Sequence, residues 1–204
     1  MVSFTEAQLT AWWTAVFWPL VRVLAMISAA PLLSHRAIPT RLKLGLALAI
    51  VVVLVPVLVP VLPAAPAVDI ASATGLPMLI GNLMIGLALG FTVRLVFAAI
   101  ELAGEAIGLQ MGLSFGAFFN PAAGTQSNSI SSFLGTIALL MFLAIDGHLM
   151  LIHAVAESFR LFPVAVGLGA DSFRQMAVMG SQIFSLGLSI ALPFVAVSLL
   201  VNVV

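Results

Sequence analysis

Long apolar runs separated by short polar stretches dominate the sequence. The runs cover about residues 5–33, 44–62, 76–93, 130–158 and 175–204. A helix needs roughly 20 predominantly apolar residues to cross a bilayer, and most of the runs are about that long or longer. The first helix is expected to begin near Thr5, because Thr5 and Gln8 have the spacing of a capping box. The pattern predicts an all-α integral membrane protein with four to six hydrophobic helices.

The polar stretches between these runs predict a topology. Residues 34–43 hold three of the seven basic residues, so the positive-inside rule assigns them to the cytoplasm and the N-terminus to the outside. Residues 63–75 are then an extracytoplasmic loop. Pro56 and Pro60 are expected to kink the second helix. The chain begins without a basic segment or a small-residue cleavage pattern, which argues against a cleaved signal peptide.

Glycines recur every four residues in the middle of the chain, at Gly104, Gly108, Gly112 and Gly116. On a helix this spacing gives one face without side chains, and such faces let helices approach to backbone contact within a membrane. Gly86 and Gly90 form a second small-residue face of this kind. We expect both faces to serve helix packing and assembly with other subunits.

The glycine-rich stretch leads into an aromatic segment, with Phe115, Phe118 and Phe119 followed by Asn120-Pro121. On a regular helix the three rings share a face, which is most often ordinary core. Flanking glycine and the Asn-Pro stop disfavour a regular helix. Bulky apolar rings on a glycine-containing backbone suit a hydrophobic gate that excludes water and ions when shut. The residues favour a gate over core packing.

The composition agrees with a membrane protein, since 63% of residues are hydrophobic and 7% charged. In typical soluble domains about 45–50% of the residues are hydrophobic and about 25% are charged. The formal net charge is zero, so no nucleic-acid partner is expected. Cysteine is absent, which removes thiol chemistry. No cofactor or metal site is predicted.

Three charged residues are candidates for buried charges: Arg22, Glu101 and Glu105. Arg22 lies about ten residues from either end of its predicted helix, roughly 15 Å, which is far for snorkelling. Its expected partner is a carboxylate or a backbone carbonyl, and Glu101 and Glu105 share a helix face. A buried Arg22 would serve subunit assembly or line an aqueous pathway. The alternative is that the true helix boundaries differ from the predicted ones and place Arg22 near the membrane interface. The two glutamates are alternatively proton-relay groups of a small-molecule secondary transporter.

An intramembrane serine hydrolase is a weaker alternative. Ser114 lies in a Gly-x-Ser-x-Gly pattern, and Asp146, His148 and His153 supply the other residue types of a triad. The pattern needs a strand–turn–helix context, and nothing before Gly112 resembles a strand. The two histidines are five residues apart rather than four, so they do not share a helix face as metal ligands would.

Several stretches together resemble the FliR family of flagellar type III export-gate subunits, which is related to the SctT-type injectisome proteins. The opening matches through residues 17–34 and 38–47. The central signature matches through Glu101-Leu-Ala-Gly-Glu-Ala-Ile-Gly-Leu-Gln-Met-Gly-Leu-Ser-Phe and Asn120-Pro-Ala-Ala-Gly-Thr-Gln-Ser. A later match is Phe142-Leu-Ala-Ile-Asp-Gly-His. These stretches cover most of the chain.

The resemblance implies a fold and an assembly. Kinked membrane-type helical hairpins would pack into a helical multi-subunit export gate rather than cross the bilayer as ordinary spans. Residues 1–204 would form a single helical export-gate domain, lacking a C-terminal hairpin and tail that the family usually has. The implied partners are the subunits FliP and FliQ, with FlhB, together with exported unfolded flagellar proteins and membrane lipid. The implied location is the bacterial inner membrane, in the flagellar basal body.

The resemblance also implies a function without catalysis. The chain would be a core subunit of the gate, forming part of the secretion channel and its plug, and energy would come from the proton-motive force and partner proteins. By motif, the plug corresponds to residues 111–120. Its residues are Met111, Gly112, Ser114, Phe115, Gly116, Phe118, Phe119 and Asn120.

Overall fold

The structure, a computed structural model, describes residues 5–34, 38–58, 72, 74–112, 128–164 and 169–203. In these residues the chain forms helices and no strands, as the apolar pattern predicts. The helices are α1 (Glu6–Ala29), α2 (Thr40–Leu58), α3 (Gly75–Gln110), α4 (Ser129–Ala144), α5 (Gly147–Leu161) and α6 (Ala170–Val203).

Helix lengths differ from the predicted spans mainly in α3. The third span was expected to end near Val93, but α3 continues through Arg94, Glu101 and Glu105 to Gln110 as one helix of 36 residues. The three charges do not end the helix because each can point outwards, and all three are exposed in this chain. Pro56 lies inside α2, whereas Pro60 lies outside the described residues.

The predicted run 130–158 is two helices. Ile145 and Asp146 separate α4 from α5, and Asp146 has a φ of 57°. Left-handed backbone is uncommon for residues other than glycine, although Asp and Asn adopt it more readily than most. The sequence marks this position through Asp146-Gly147, where the apolar run is chemically interrupted. The N-cap of α4 is Asn128, whose side chain accepts from the Ile130 N–H at 3.1 Å.

Contacts divide the chain into two compact units, and α3 contributes to both. Unit 1 comprises residues 1–93 and 148–173, and unit 2 comprises residues 94–147 and 174–204. The prediction of a single domain stays a prediction.

Unit 1 has its core around α1. Trp18, Val23, Met26 and Ile27 of α1 are each 0–1% exposed. Helix α2 contributes residues spaced three or four apart, so one face of the helix is buried. These residues are Ala47, Val51, Leu54 and Leu58. In unit 2 the core is smaller: Ala103, Ile107 and Ala191 are buried, with Ile130, Leu134 and Val195 packed against them.

Four described helices are long and apolar enough to cross a membrane: α1, α2, α3 and α6. Helices α4 and α5 pass the same test as one broken span. Helix α6 is the least covered of the four, because only 11% of its apolar window is buried within the chain. The surface of a protein this apolar requires lipid or other protein around it, so the chain is a membrane-type protein.

Candidate functional site

Arg22 of α1 is fully buried in unit 1, and its guanidinium group is hydrogen-bonded on every side. Nε and Nη2 donate to Asn82 Oδ1 of α3 at 3.2 and 2.7 Å. Nη1 donates to Ser158 Oγ of α5 at 3.0 Å, and Nη2 also donates to the Phe162 carbonyl at 3.0 Å. The guanidinium carbon lies 3.8 Å from the centre of the Phe159 ring. One side chain therefore connects three helices.

The partners of Arg22 compensate its charge without a carboxylate. Ser158, Phe159 and the Phe162 carbonyl belong to the last turn of α5 and the residue after it. The C-terminal end of a helix has unpaired carbonyls and a partial negative charge, which stabilise a cation placed there. The Phe159 ring adds a cation–π contact. Arg22 thus caps the C-terminus of α5 from a different helix.

Asn82 completes this network, because both ends of its amide are used. Its Oδ1 accepts twice from Arg22. Its Nδ2 donates to the carbonyl of Met78, one turn earlier in α3, at 2.8 Å and to the Val164 carbonyl at 3.0 Å. The residues that follow α5 are thereby tied to α3. Buried polar groups are costly unless they are paired, and the groups of this network have partners.

The glutamates proposed as partners of Arg22 are not its partners. Glu101 and Glu105 lie on the part of α3 that belongs to unit 2, and both are exposed in this chain. Neither side chain forms a hydrogen bond or ion pair with another described residue. The prediction that they are buried charges is therefore corrected within this chain. The sequence suggested carboxylates because opposite charge is the commonest compensation for a buried cation, but here a helix end, an amide and a hydroxyl provide it.

Gly86 and Gly90 lie directly against α1. A Cβ atom at Gly86 would collide with the Arg22 carbonyl and come within 2.7 Å of the Ala25 Cβ. At Gly90 it would lie 2.5 Å from the Met26 carbonyl oxygen and 2.7 Å from the Ala29 Cβ. These glycines let α3 approach α1 closely enough for Asn82 to reach Arg22. The contact is within the chain, and a contact of the same glycines with other subunits stays a prediction.

Gly104 and Gly108 lie against the start of α4, in unit 2. A Cβ atom at Gly104 would be 2.5 Å from the Ser131 Cα. A Cβ atom at Gly108 would occupy the space of the Asn128 side-chain amide. The Asn128 Nδ2 donates to the Gly104 carbonyl at 3.3 Å, and the Ser131 Oγ donates to the Glu101 carbonyl at 2.9 Å. Two glycines on α3 thus face two polar residues on α4.

Helix α3 ends at the predicted plug. Met111 donates to the Ile107 carbonyl, Gly112 donates to the Leu109 carbonyl, and Gly112 has a φ of 75°. A positive φ suits glycine, which often ends helices in this way. Met111 is 60% exposed. The remaining plug residues lie outside the described part of the chain: Ser114, Phe115, Gly116, Phe118, Phe119 and Asn120.

An apolar groove of about 530 Å³ lies beside the end of α3 in unit 2. Residues of α3 with Met111 form one side, and residues of α6 form the other. The lining residues are Ile107, Gln110, Met111, Pro193, Phe194, Val197, Ser198 and Val201. The groove has no charged side chain in its lining, so it suits an apolar occupant.

The residues proposed for enzyme chemistry are not assembled by the described structure. His148 follows the break between α4 and α5, and its Nδ1 has no hydrogen-bond partner among the described residues. His153 is exposed on α5. Among the described residues no three metal-ligating side chains come together. Ser114 lies outside the described residues, so the hydrolase alternative has no described geometry.

Comparison with known proteins decides the family. The family described as "Bacterial export proteins, family 1" matches residues 13–204. The chain belongs to this family. One curated relative, the flagellar biosynthetic protein FliR of Escherichia coli (strain K12), is 41% identical over 205 residues, covering 99% of this chain and 76% of the relative. The FliR of Pectobacterium carotovorum is 40% identical with the same coverage. That of Bacillus subtilis (strain 168) is 27% identical over 186 residues, covering 89% of this chain and 70% of the relative. The resemblance to FliR is therefore confirmed, and the family is one of export proteins.

Sequence reasoning missed four polar residues that the structure places at these contacts: Asn82, Asn128, Ser131 and Ser158. One signal was available. Asn82 is an isolated amide in the middle of an apolar run, and polar side chains within membrane helices usually hydrogen-bond to other helices. Asn128 lies among several polar residues, Ser127, Ser129, Ser131 and Ser132, and nothing in the sequence distinguishes it from them.

Proposed function

We propose that this chain is a core subunit of the flagellar type III protein export gate, where it forms part of the secretion channel and its plug. The match of the export family to residues 13–204 carries this proposal. The relatives named FliR support the flagellar system. Family membership favours protein export over small-molecule transport or hydrolysis. The chain then needs no catalytic residue or cofactor, and energy comes from the proton-motive force and partner proteins.

The plug is the segment from Met111 to Asn120. The described residues on either side of this segment support the proposal. Helix α3 stops at Gln110 and turns at Gly112, whose left-handed φ ends the helix. The chain is next described at Asn128, which contacts α3 at Gly104 and Gly108. The segment between carries three phenylalanines on a glycine-containing backbone, the composition of a hydrophobic gate.

The proposed partners are FliP, FliQ and FlhB, in the inner membrane at the flagellar basal body, with unfolded flagellar proteins as the exported cargo. The wide apolar surface of α6 supports a need for neighbouring subunits or lipid, since so little of it is covered within the chain. The exposed carboxylates Glu101 and Glu105 support the same conclusion. A carboxylate on an otherwise apolar helix is expensive in a membrane unless it meets a polar or charged partner.

Replacement of the three rings tests the plug. In cells producing the assembled gate, the triple variant Phe115→Ala, Phe118→Ala and Phe119→Ala should let ions leak, because smaller side chains cannot exclude water from the channel. A matched triple variant replaces exposed phenylalanines outside the segment: Phe133→Ala, Phe173→Ala and Phe184→Ala. Membrane conductance is measured with a potential-sensitive dye, and assembly is measured by native gel. Normal conductance in a fully assembled plug variant contradicts the proposal.

A further inference from the structure

We infer that Asn128 is a positioning residue that fixes α4 to α3, the two helices that flank the plug in the sequence. The inference rests on the proposed function, because the segment matters only if it seals a channel. The inference adds to that proposal a specific residue, Asn128, and the hydrogen bonds through which it acts. In the sequence the plug lies between α3 and Asn128, and the described contacts show how Asn128 is held against α3.

The amide of Asn128 joins both helices. Its Oδ1 accepts from the Ile130 N–H at 3.1 Å and so caps α4. Its Nδ2 donates to the Gly104 carbonyl of α3 at 3.3 Å. A helix N-cap needs only an acceptor, which Ser, Thr and Asp also provide. The Asn128 amide carries the acceptor for α4 and the donor for α3 on two separate atoms, and it is long enough to reach the Gly104 carbonyl.

The shape of α3 is adapted to this amide. The Asn128 side chain occupies the space where Gly108 would carry a Cβ atom. One turn earlier, Gly104 leaves room for the backbone of Ser131, and the Ser131 Oγ donates to the Glu101 carbonyl. The hydrogen bonds of Asn128 and Ser131 therefore lie in succession along the same pair of helices. A side chain at position 108 would separate Asn128 from its carbonyl acceptor.

The contact between α4 and α3 matters for the segment between them. Fifteen residues, numbered 113–127, connect the two described ends. The contacts of Asn128 hold the start of α4 against α3. The positions of these two helices determine where the chain between them begins and ends. A change in this contact is therefore expected to shift the plug relative to the channel that it seals.

Two substitutions separate the positioning role from helix capping. Asn128→Ser retains a side chain that caps α4 but cannot reach Gly104 as a donor. Asn128→Asp retains the shape and the cap acceptor, and it replaces the donor by an oxygen that faces the Gly104 carbonyl. A matched control is Thr136→Val, which removes one hydrogen bond on α4, to the Ser132 carbonyl within the same helix.

The experiment measures ion conductance and gate assembly in cells that carry each variant in the complete export gate, beside the triple phenylalanine variant. We expect both Asn128 variants to assemble and to lose part of the seal, with conductance between that of the wild type and that of the triple variant. The Thr136→Val gate should seal normally.

The outcomes distinguish the two hypotheses. If the triple variant leaks and the assembled Asn128 variants seal like the wild type, the positioning role is wrong and the plug remains. If the triple variant itself seals, the proposed plug fails. If both Asn128 variants fail to assemble while Thr136→Val assembles, Asn128 serves assembly and the positioning role is overturned.

Discussion

Helix α3 packs closely against α1 and against α4, in both cases through a pair of glycines. The polar side chains beside the two contacts differ. In unit 1, Gly86 and Gly90 bring α3 against α1, beside the buried charge of Arg22. In unit 2, Gly104 and Gly108 bring α3 against α4, beside the neutral side chains of Asn128 and Ser131. Both contacts combine close backbone approach with interhelical hydrogen bonds, which are the forces available to helices where lipid replaces water.

The contact between α3 and α1 needs more polar partners than the contact between α3 and α4, because it includes a charged side chain. A buried cation must be compensated from several directions, and Arg22 needs an amide, a hydroxyl, a backbone carbonyl and a ring. A neutral amide needs two partners, and Asn128 has them. We therefore expect the Arg22 network to determine stability, and the Asn128 contact to adjust local geometry. Four predictions test this difference in the full chain in detergent, with SDS-induced unfolding followed by circular dichroism.

Arg22→Met should give the largest effect, a destabilisation of about 2–4 kcal/mol. The substitution leaves Asn82 Oδ1 and the Phe162 carbonyl without their donor, and each unpaired buried group costs about 1–3 kcal/mol. The double variant Arg22→Met with Asn82→Leu should lose less than the sum of the two single variants, because it removes acceptor and donor together. Additive losses would show that the two residues are not coupled.

Gly86→Leu should destabilise the chain by about 1–3 kcal/mol, the usual cost of overpacking. The added Cβ meets the backbone of Arg22, which cannot move aside as a flexible side chain would. The matched control is Gly45→Leu in α2, where nothing lies within 4 Å of an added Cβ. Equal unfolding curves for the two leucine variants would mean that Gly86 does not lie in a close contact.

Gly104→Ala should cost more than Gly108→Ala, and the difference should be about 1 kcal/mol or less, within the lower range for strain in a packed site. At Gly104 the new methyl group meets the backbone of Ser131, whereas at Gly108 it meets the end of the Asn128 side chain. The side chain can rotate away at the expense of its hydrogen bond to Gly104. The opposite order would indicate that the amide of Asn128 is the stiffer neighbour.

Gly45→Ala should produce the smallest effect, a stabilisation of up to about 1 kcal/mol. Alanine restricts the unfolded chain and has a higher helix propensity than glycine. Gly45 lies in α2 with open space around it, so the methyl group meets no obstacle. A destabilised Gly45→Ala chain would show that open space in this structure does not predict tolerance, and it would weaken the interpretation of the other glycine variants.

Much of the fold was predictable because the cause lies in local sequence. Apolar length predicts the helices, and Thr5 marks the start of α1. The break between α4 and α5 was not predicted, because Asp146-Gly147 lies within a run long enough for one helix. The partners of Arg22 were not predictable, since they come from α3 and from the end of α5, more than 50 residues away. The glycine faces were visible, but their partners on α1 and α4 depend on tertiary packing.

The proposed plug is predicted from residue type and from resemblance rather than from spacing alone. Only Met111 and Gly112 of the eight plug residues fall within the described structure. The proposed role of Asn128 could not be read from the sequence, because the neighbouring serines are equally good N-caps. The second hydrogen bond, to Gly104, distinguishes it.

The sparse coverage of α6 has a consequence for how the subunit is made. A newly inserted α6 has 34 residues and little contact with the rest of its own chain. Until lipid or another molecule covers it, this helix is open to unwanted association and to quality-control proteolysis. If the proposed partner subunits cover α6, their presence should protect the chain from degradation, and the level of the chain that survives in a cell lacking those partners measures this protection.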